Sequence, residues 1–387
     1  MQPGAPTGIG DIGAGLVLGS HGRQPRAAPG CADSGNLGST GSCTPSAWLV
    51  GAIARSPGSR PQTHLEDLVP VAVFGTAQFA DVPRDAPQHL LQVAWDAGFR
   101  RFDTAPLYAF GQAEEVLGRF LAGRDDVQGV TTKVGLAPQP DRPLRRRVVG
   151  VAKAALPAPL LARAKGVLRP APGQSAPREM ASGRFGVTEV RSSVETSLRR
   201  LGGRVDRLLL HEVRPHDVTT ELLDLLAGVV ERGDVGSVGV ATQNHDTLGA
   251  LAAGGELFTA ANTAVGPLHT PVALPDHVVA RTGHGLLGGG GEHLRRLQAV
   301  LADDPTRAQR WQEVTRDTEF AGPRGLGHAL LARGAELDVT EVIVGSTTER
   351  NVAPAFAFAH RDDVLPEPVS AALADLVQVV RALPSTD

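Results

Sequence analysis

From Leu68 onward, short apolar runs alternate with longer stretches in which apolar residues recur every three or four positions. PVAVFGTAQF reads as a strand ending at Gly75. APQHLLQVAWDAG, Ala86 to Gly98, reads as a helix closed by glycine. The alternation then repeats. FRRFDTA is a strand and AEEVLGRFLAG a helix; VQGVTTKVG is a strand and VTEVRSSVETSLRRLGG, Val187 to Gly203, an amphipathic helix. VDRLLLHEV, SVGVAT, FTAANTAV, DHVVART and TEVIVGS supply strands four to eight. TTELLDLLAGVVERG, HDTLGALAAGG and ERNVAPAFAFA are the helices that follow strands four, five and eight. Strict alternation predicts a parallel sheet, and eight strands predict a closed (β/α)8 TIM barrel over residues 65–387. An open doubly wound sheet is the alternative. Between strands six and seven the proline-containing HTPVALP leaves room for a short helix or none.

Two insertions interrupt the pattern, at about 136–185 and 283–324. Each follows the C-terminal end of a strand, where barrel enzymes place their active-site loops. The first carries Arg145, Arg146 and Arg147, which we read as a solvated face in preference to an anionic-substrate site. The second opens GHGLLGGGG and continues with the helical LRRLQAVLADD. Residues 1–64 have no sustained periodicity and are dense in Gly, Pro and Ser. They read as a disordered or non-native extension. Their GIGDIG matches a dinucleotide fingerprint, but only seven residues precede it, too few for the strand that motif needs.

Composition narrows the function. The chain has 387 residues and a formal charge of -3, which argues against a nucleic-acid or membrane-surface role. No apolar run reaches the ~18 residues of a membrane span, and no secretory leader is evident, so cytoplasm is the expected compartment. The two cysteines, Cys31 and Cys43, lie in the N-terminal segment. A thiolate metal site in the barrel is thereby excluded. The chain has one tyrosine, Tyr108, and three lysines, Lys133, Lys153 and Lys165, against 35 arginines.

Tyr108 lies just beyond strand two, which ends at Asp103; Lys133 lies at the end of strand three and His211 at the end of strand four. Adjacent strand ends lie about 4.8 Å apart, so these four side chains converge. A lysine in an apolar strand is costly unless paired, and Asp103 is the natural partner. An ammonium beside a phenol favours the phenolate and lowers the phenol's pKa. The histidine can orient a carbonyl oxygen. Together these groups can deliver or remove a proton at an oxygen while a hydride moves. No side chain is a hydride donor, so a nicotinamide nucleotide is required. Two other functions fit the same residues: a Schiff-base aldolase using a neutral Lys133, and a non-catalytic nicotinamide-nucleotide-binding regulatory barrel.

FDTAPLYAFGQAEEVLG with VTTKVG, SLRRLGGRVDRLLLHEV and EVIVGSTTERN, in this order, resemble the aldo-keto reductase family, with features of its bacterial aldose (D-threo-aldose/L-fucose) dehydrogenase branch. The resemblance covers about Val71 to Ala357. It implies Tyr108 as general acid/base, Lys133 and Asp103 as its tuning pair, and His211 as the group that positions the carbonyl. It implies Gly75, Thr76, Thr242 and Asn262 at the nicotinamide end, and Gly345, Ser346, Thr347 and Arg350 at the adenosine-phosphate end. Ala241-Thr242 stands where the family has Ser-Asn, and Gly345 where it has a cation. Arg350 is the residue left to meet a 2′-phosphate, so NADP(H) is favoured and NAD(H) is the alternative. A small-molecule carbonyl or sugar substrate and a monomer or small homo-oligomer complete the expectation. The aromatic that stacks on the nicotinamide after strand seven is not obvious; Arg281 or Thr282 stands near that place.

Overall fold

Residues 69–83, 85–136, 183–242 and 244–383 are described by a computed structural model. The expected extension 1–64 and nearly all of the insertion 136–185 lie outside the described residues. Eight parallel strands close into a barrel in sequence order. They are β1 (Val71–Gly75), β2 (Arg101–Asp103), β3 (Gly129–Val134), β4 (Arg207–His211), β5 (Ser237–Ala241), β6 (Phe258–Ala264), β7 (Ala280–His284) and β8 (Glu341–Val344). The seam pairs β1 with β8, Val71 opposite Glu341 through Phe74 opposite Val344.

Side-chain alternation along each strand builds two different surfaces. Outward positions are apolar: Phe74, Phe102, Val130, Leu208, Leu210, Val238, Val240, Val342 and Val344 are all buried in the main core. The helices α1 (Ala86–Ala97), α2 (Ala113–Leu121), α3 (Val187–Arg200), α4 (Thr220–Glu231) and α5 (Asn244–Gly254) follow β1 to β5 in turn. Each buries an apolar stripe; α4 does so with Leu222, Leu225, Leu226 and Val229. Gly98 ends α1 at a φ of 112°, a left-handed cap that a side chain would oppose.

Inward positions form layers. At the bottom, Glu341 accepts from Arg101, Arg207 and the Thr282 hydroxyl. Leu209, Ala241 and Ala260 form a small apolar plug with Ala280 packed against it. At the top lie Asp103, Lys133, His211 and Asn262, at the C-terminal ends of their strands. A closed barrel with polar groups at that end is the arrangement in which such folds hold their chemistry.

After β6 no helix intervenes: residues 265–279 are turns and irregular chain, as the prolines predict. Strand seven is corrected. DHVVART was expected to be the strand, but Val278 N–H bonds back to Pro275 in a turn, and the ladder starts at Ala280 and runs to His284. The second insertion therefore begins after His284, not at Gly283. It contains α6 (Glu292–Asp303) and α7 (Pro305–Thr315), ahead of α8 (Gly325–Ala332). After β8 come α9 (Val352–Ala359) and α10 (Glu367–Ala382). Leu297 of α6, Trp311 of α7, Leu330 of α8 and Leu373 and Leu376 of α10 share a second apolar core. Among the described residues, no helix is long and apolar enough to cross a membrane.

Candidate active site

Asp103 and Lys133 occupy inward positions of adjacent strands. Each is almost fully buried, and their ion pair measures 2.6 Å. The Lys133 ammonium also donates to the Thr104 carbonyl at 3.0 Å. Its third neighbour is Tyr108: the ammonium lies 4.9 Å from the ring centroid and within hydrogen-bonding range of the hydroxyl. Two donors of the ammonium thus meet oxygens directly and the phenol stands beside it, which offsets much of the cost of burying the charge. Lys133 is the penultimate residue of β3, one position short of the expected strand end.

Sharp backbone turns hold the other two groups. Ala109 and Phe110, directly after Tyr108, have φ of 49° and 57°, and Glu212, directly after His211, has φ of 57°. Among the described residues these are the left-handed positions not held by glycine. Such conformations persist only where the surroundings enforce them, and they cluster at functional sites. The Tyr108 and His211 rings meet edge to face, with centroids 6.1 Å apart.

The electrostatics separate the roles. Burial works against the Lys133 ammonium, but Asp103 and then Tyr108 outweigh it, so its pKa is raised and the group stays charged. For Tyr108 the expectation is corrected. Burial pushes the phenol above its usual 10 and outweighs the downward pull of Lys133. The phenol therefore holds its proton at neutral pH. His211 is pushed down to about 3 by burial, then by Lys133 and His284, so the ring is neutral.

Asn262, on β6, reaches Asp103 with its amide nitrogen at 3.5 Å. Its amide oxygen is buried with no partner, a costly state that a ligand's N–H would relieve. Thr76 is fully buried and donates to the Asp103 carbonyl at 3.1 Å and to the Thr104 hydroxyl at 2.9 Å. Thr242 bonds Thr247 at 2.9 Å. These two hydroxyls are thus engaged within the protein. Gly75 and Gly345 face each other at the seam: a Cβ on Gly345 would come 2.8 Å from Gln78 and 3.1 Å from the Gly75 carbonyl. Glycine here lets the two strand ends and Gln78 pack closely. Ser346 closes a local turn, donating to the Thr348 carbonyl at 2.7 Å and accepting from its N–H at 3.0 Å. Thr347 and Arg350 are exposed beside it. The structure thus brings Asp103, Tyr108, Lys133, His211 and Asn262 together. Gly75, Gly345, Ser346, Thr347 and Arg350 form a separate rim along the β1–β8 seam.

Arg281 and Thr282 do not stand at the mouth. Arg281 turns away and bonds the Val278 and Pro275 carbonyls and Asp338. Thr282 faces the bottom layer. The residue at the end of β7 is His284, which sequence reasoning missed. It is held down to about 4 by burial, then by Lys133 and His269. The signal lay in the period of two: His284 shares a face with Thr282 once the strand is extended. Glu114 was also missed. It is fully buried on α2, paired with Arg200 at 3.1 Å and accepting from Thr132 at 2.8 Å, next to Lys133 in sequence.

A sequence model of the aldo/keto reductase family matches residues 72–264. A D-threo-aldose 1-dehydrogenase from Pseudomonas sp is 29% identical over 191 residues, 46% of this chain and 52% of that protein. A pyridoxal 4-dehydrogenase from Microbacterium luteolum is 40% identical over 57 residues, 15% of this chain and 17% of that protein. The chain thus spans about half the length of the first of these curated relatives and less of the second. The structure of a glycerol dehydrogenase from Gluconobacter oxydans covers 82% of this chain and 97% of its own, with a TM-score of 0.56 at 16% identity, a likeness of fold.

Proposed function

The chain belongs to the aldo/keto reductase family, and from that premise we propose that it is an NAD(P)-dependent oxidoreductase interconverting a carbonyl and an alcohol. The observation that carries this reading is the Lys133 ammonium, 2.6 Å from the Asp103 carboxylate and in hydrogen-bonding range of the Tyr108 hydroxyl. Tyr108 is the proton donor to the carbonyl oxygen in reduction and the acceptor in oxidation. Its raised pKa keeps the proton in place until oxygen develops charge. Lys133 then faces the forming phenolate and stabilises it; Asp103 holds Lys133 charged and aimed. Neutral His211 donates a hydrogen bond to the carbonyl oxygen and fixes its direction.

A nicotinamide nucleotide, the cofactor type of this family, would supply or accept the hydride. The Asn262 amide, with its unpartnered oxygen, suits the carboxamide. On this reading Gly75, Thr76 and Thr242 would complete the nicotinamide end. The segment Gly345, Ser346, Thr347 and Arg350 suits the phosphates, with Arg350 favouring NADP(H) over NAD(H). The substrate is a small carbonyl compound or sugar, acted on in the cytoplasm by a monomer or small homo-oligomer. Residues 65–387 form the catalytic unit, and 1–64 an extension to it. The Schiff-base alternative requires a neutral Lys133, and the raised pKa of that residue opposes it.

Tyr108→Phe is expected to lower turnover by at least ~10²-fold while nucleotide affinity, read by fluorescence titration, stays nearly constant. Wild-type turnover in that variant would remove Tyr108 from the mechanism.

A further inference from the structure

Glu114 takes no part in the reading above, yet it is a fully buried carboxylate where packing asks for none. The other buried residues of α2, Ala113, Leu117, Phe120 and Leu121, are apolar. A buried ion pair is weak evidence for stability, because desolvation offsets the attraction; its best-attested use is to fix the register of one element on another. The contacts of Glu114 suit that use. Its Oε1 accepts from the Thr132 hydroxyl on β3 at 2.8 Å, and its Oε2 accepts from Arg200 at the end of α3 at 3.1 Å. One turn further along α2, a Cβ on Gly118 would come 1.9 Å from the Arg200 carbonyl oxygen, so the two helices meet backbone to backbone. The carboxylate also stands in the first turn of α2, where the helix dipole favours negative charge.

Both ends of this link lead to the acid–base pair. On one side, Thr132 points out to α2 while Lys133, the next residue, points in to Asp103 at 2.6 Å. On the other side, α2 follows directly on the turn that carries Tyr108. That turn holds Ala109 and Phe110 in left-handed conformations, which their surroundings must enforce. Its front is tied by the Tyr108 N–H to the Ala105 carbonyl at 3.1 Å, and its rear is joined to α2 by the Val116 N–H, which donates to the Gln112 carbonyl at 3.0 Å. Apolar packing is non-directional, so it fixes the sliding of α2 along β3 less sharply than a charge-assisted hydrogen bond does. We propose that Glu114 is a positioning residue: through Thr132 it sets the spacing between the Tyr108 hydroxyl and the Lys133 ammonium. The proposal rests on the oxidoreductase reading, in which that spacing governs proton transfer.

Thr132→Val removes the hydroxyl with little change of shape and no change of charge, and Thr132→Ser retains it. Tyr108 is the chain's one tyrosine, so ring-labelled tyrosine gives a single NMR resonance that reports its surroundings without turnover. The full chain is assayed with both nicotinamide nucleotides on a panel of aldehydes and sugars. Thr132→Val is expected to shift the resonance and to lower kcat about tenfold, with KM and nucleotide affinity near wild type. Thr132→Ser should return both readouts to wild type. Glu114→Gln, which loosens the same bond, should move both in the direction of the valine variant and covers the case in which that variant does not fold. An unmoved resonance, or an unchanged kcat, would overturn the proposal. So would a loss that the serine variant fails to recover, or one confined to KM or nucleotide affinity, since these mark a general support of the barrel. Wild type that turns over none of the panel with either nucleotide would remove the oxidoreductase reading, and the proposed role with it, whatever the resonance shows.

Discussion

Arg350 is the cationic side chain of the segment from Gly345 to Val352. The Ser346 hydroxyl beside it is engaged on both sides by Thr348, and Glu349 pairs with His89 at 3.0 Å. Arg350 is therefore the cation that this segment offers a 2′-phosphate. On the proposed reading, Arg350→Ala should weaken NADP(H) several-fold while leaving NAD(H) nearly unaffected, since charge-assisted phosphate contacts are the stronger ones. Isothermal titration with both nucleotides decides the matter; matched losses would free Arg350 of that role. At this scale the sequence was informative wherever a residue was chemically out of place. A lone tyrosine, a lysine inside an apolar strand and a strand ending in histidine each stand out. His284 did not, because the apolar Val278 and Val279 drew the predicted strand too early. The direction of the Tyr108 shift was not legible either, since it depends on how much water the fold removes from the phenol.

The floor of the barrel is a charge cluster made by four strands. Glu341 on β8 accepts from Arg101 on β2, Arg207 on β4 and Thr282 on β7. Burial disfavours its charge, but Arg207 and Arg101 hold its pKa below the usual carboxylate range. Glu341→Gln would leave two guanidinium groups without their counter-charge. Removing one partner of a buried pair costs about 3–5 kcal/mol, and both arginines keep some contact with solvent, so a loss near 3 kcal/mol is expected. Urea denaturation would read it as a lowered midpoint, and an unchanged midpoint would mean the cluster is energetically neutral. Elements with apolar periodicity were legible from the sequence. In α7, PTRAQRWQEVT buries little besides Trp311 and Thr315, too few positions to mark a face. The helix α10 went unassigned although it buries Val369, Leu373, Leu376 and Val380 at helical spacing. It lies beyond the eighth repeat, where the barrel pattern asks for no further helix.

Taken as a whole, the protein holds several neutral imidazoles out of water. His211 and His284 are pushed down to about 3 and about 4, and His269, His293 and His328 are also lowered, burial being the first cause in each. Above pH 6.5, the ordinary value for histidine, both folded and unfolded chains leave these rings neutral and stability is complete. As pH falls below that value the unfolded chain takes up protons that the folded chain refuses, and stability declines toward the folded values. The midpoint of thermal unfolding should therefore drop steadily from pH 6.5 toward pH 4.5 (roughly the upper edge of carboxylate titration). A flat profile over that interval would show that the rings titrate as they do in the unfolded chain. The closed barrel itself was readable from eight strands, most of them followed by a helix. These pKa depressions were not, because they follow from burial among neighbours distant in sequence.

Lys133 is the one lysine among the described residues, 3% exposed and locked against Asp103. For a reagent that acylates amines, the other targets on the chain are Lys153, Lys165 and the amino terminus. An amine must be neutral to attack such a reagent, so the raised pKa and the Asp103 pair shield this nitrogen, and peptide mass spectrometry should find it unmodified until the protein is denatured.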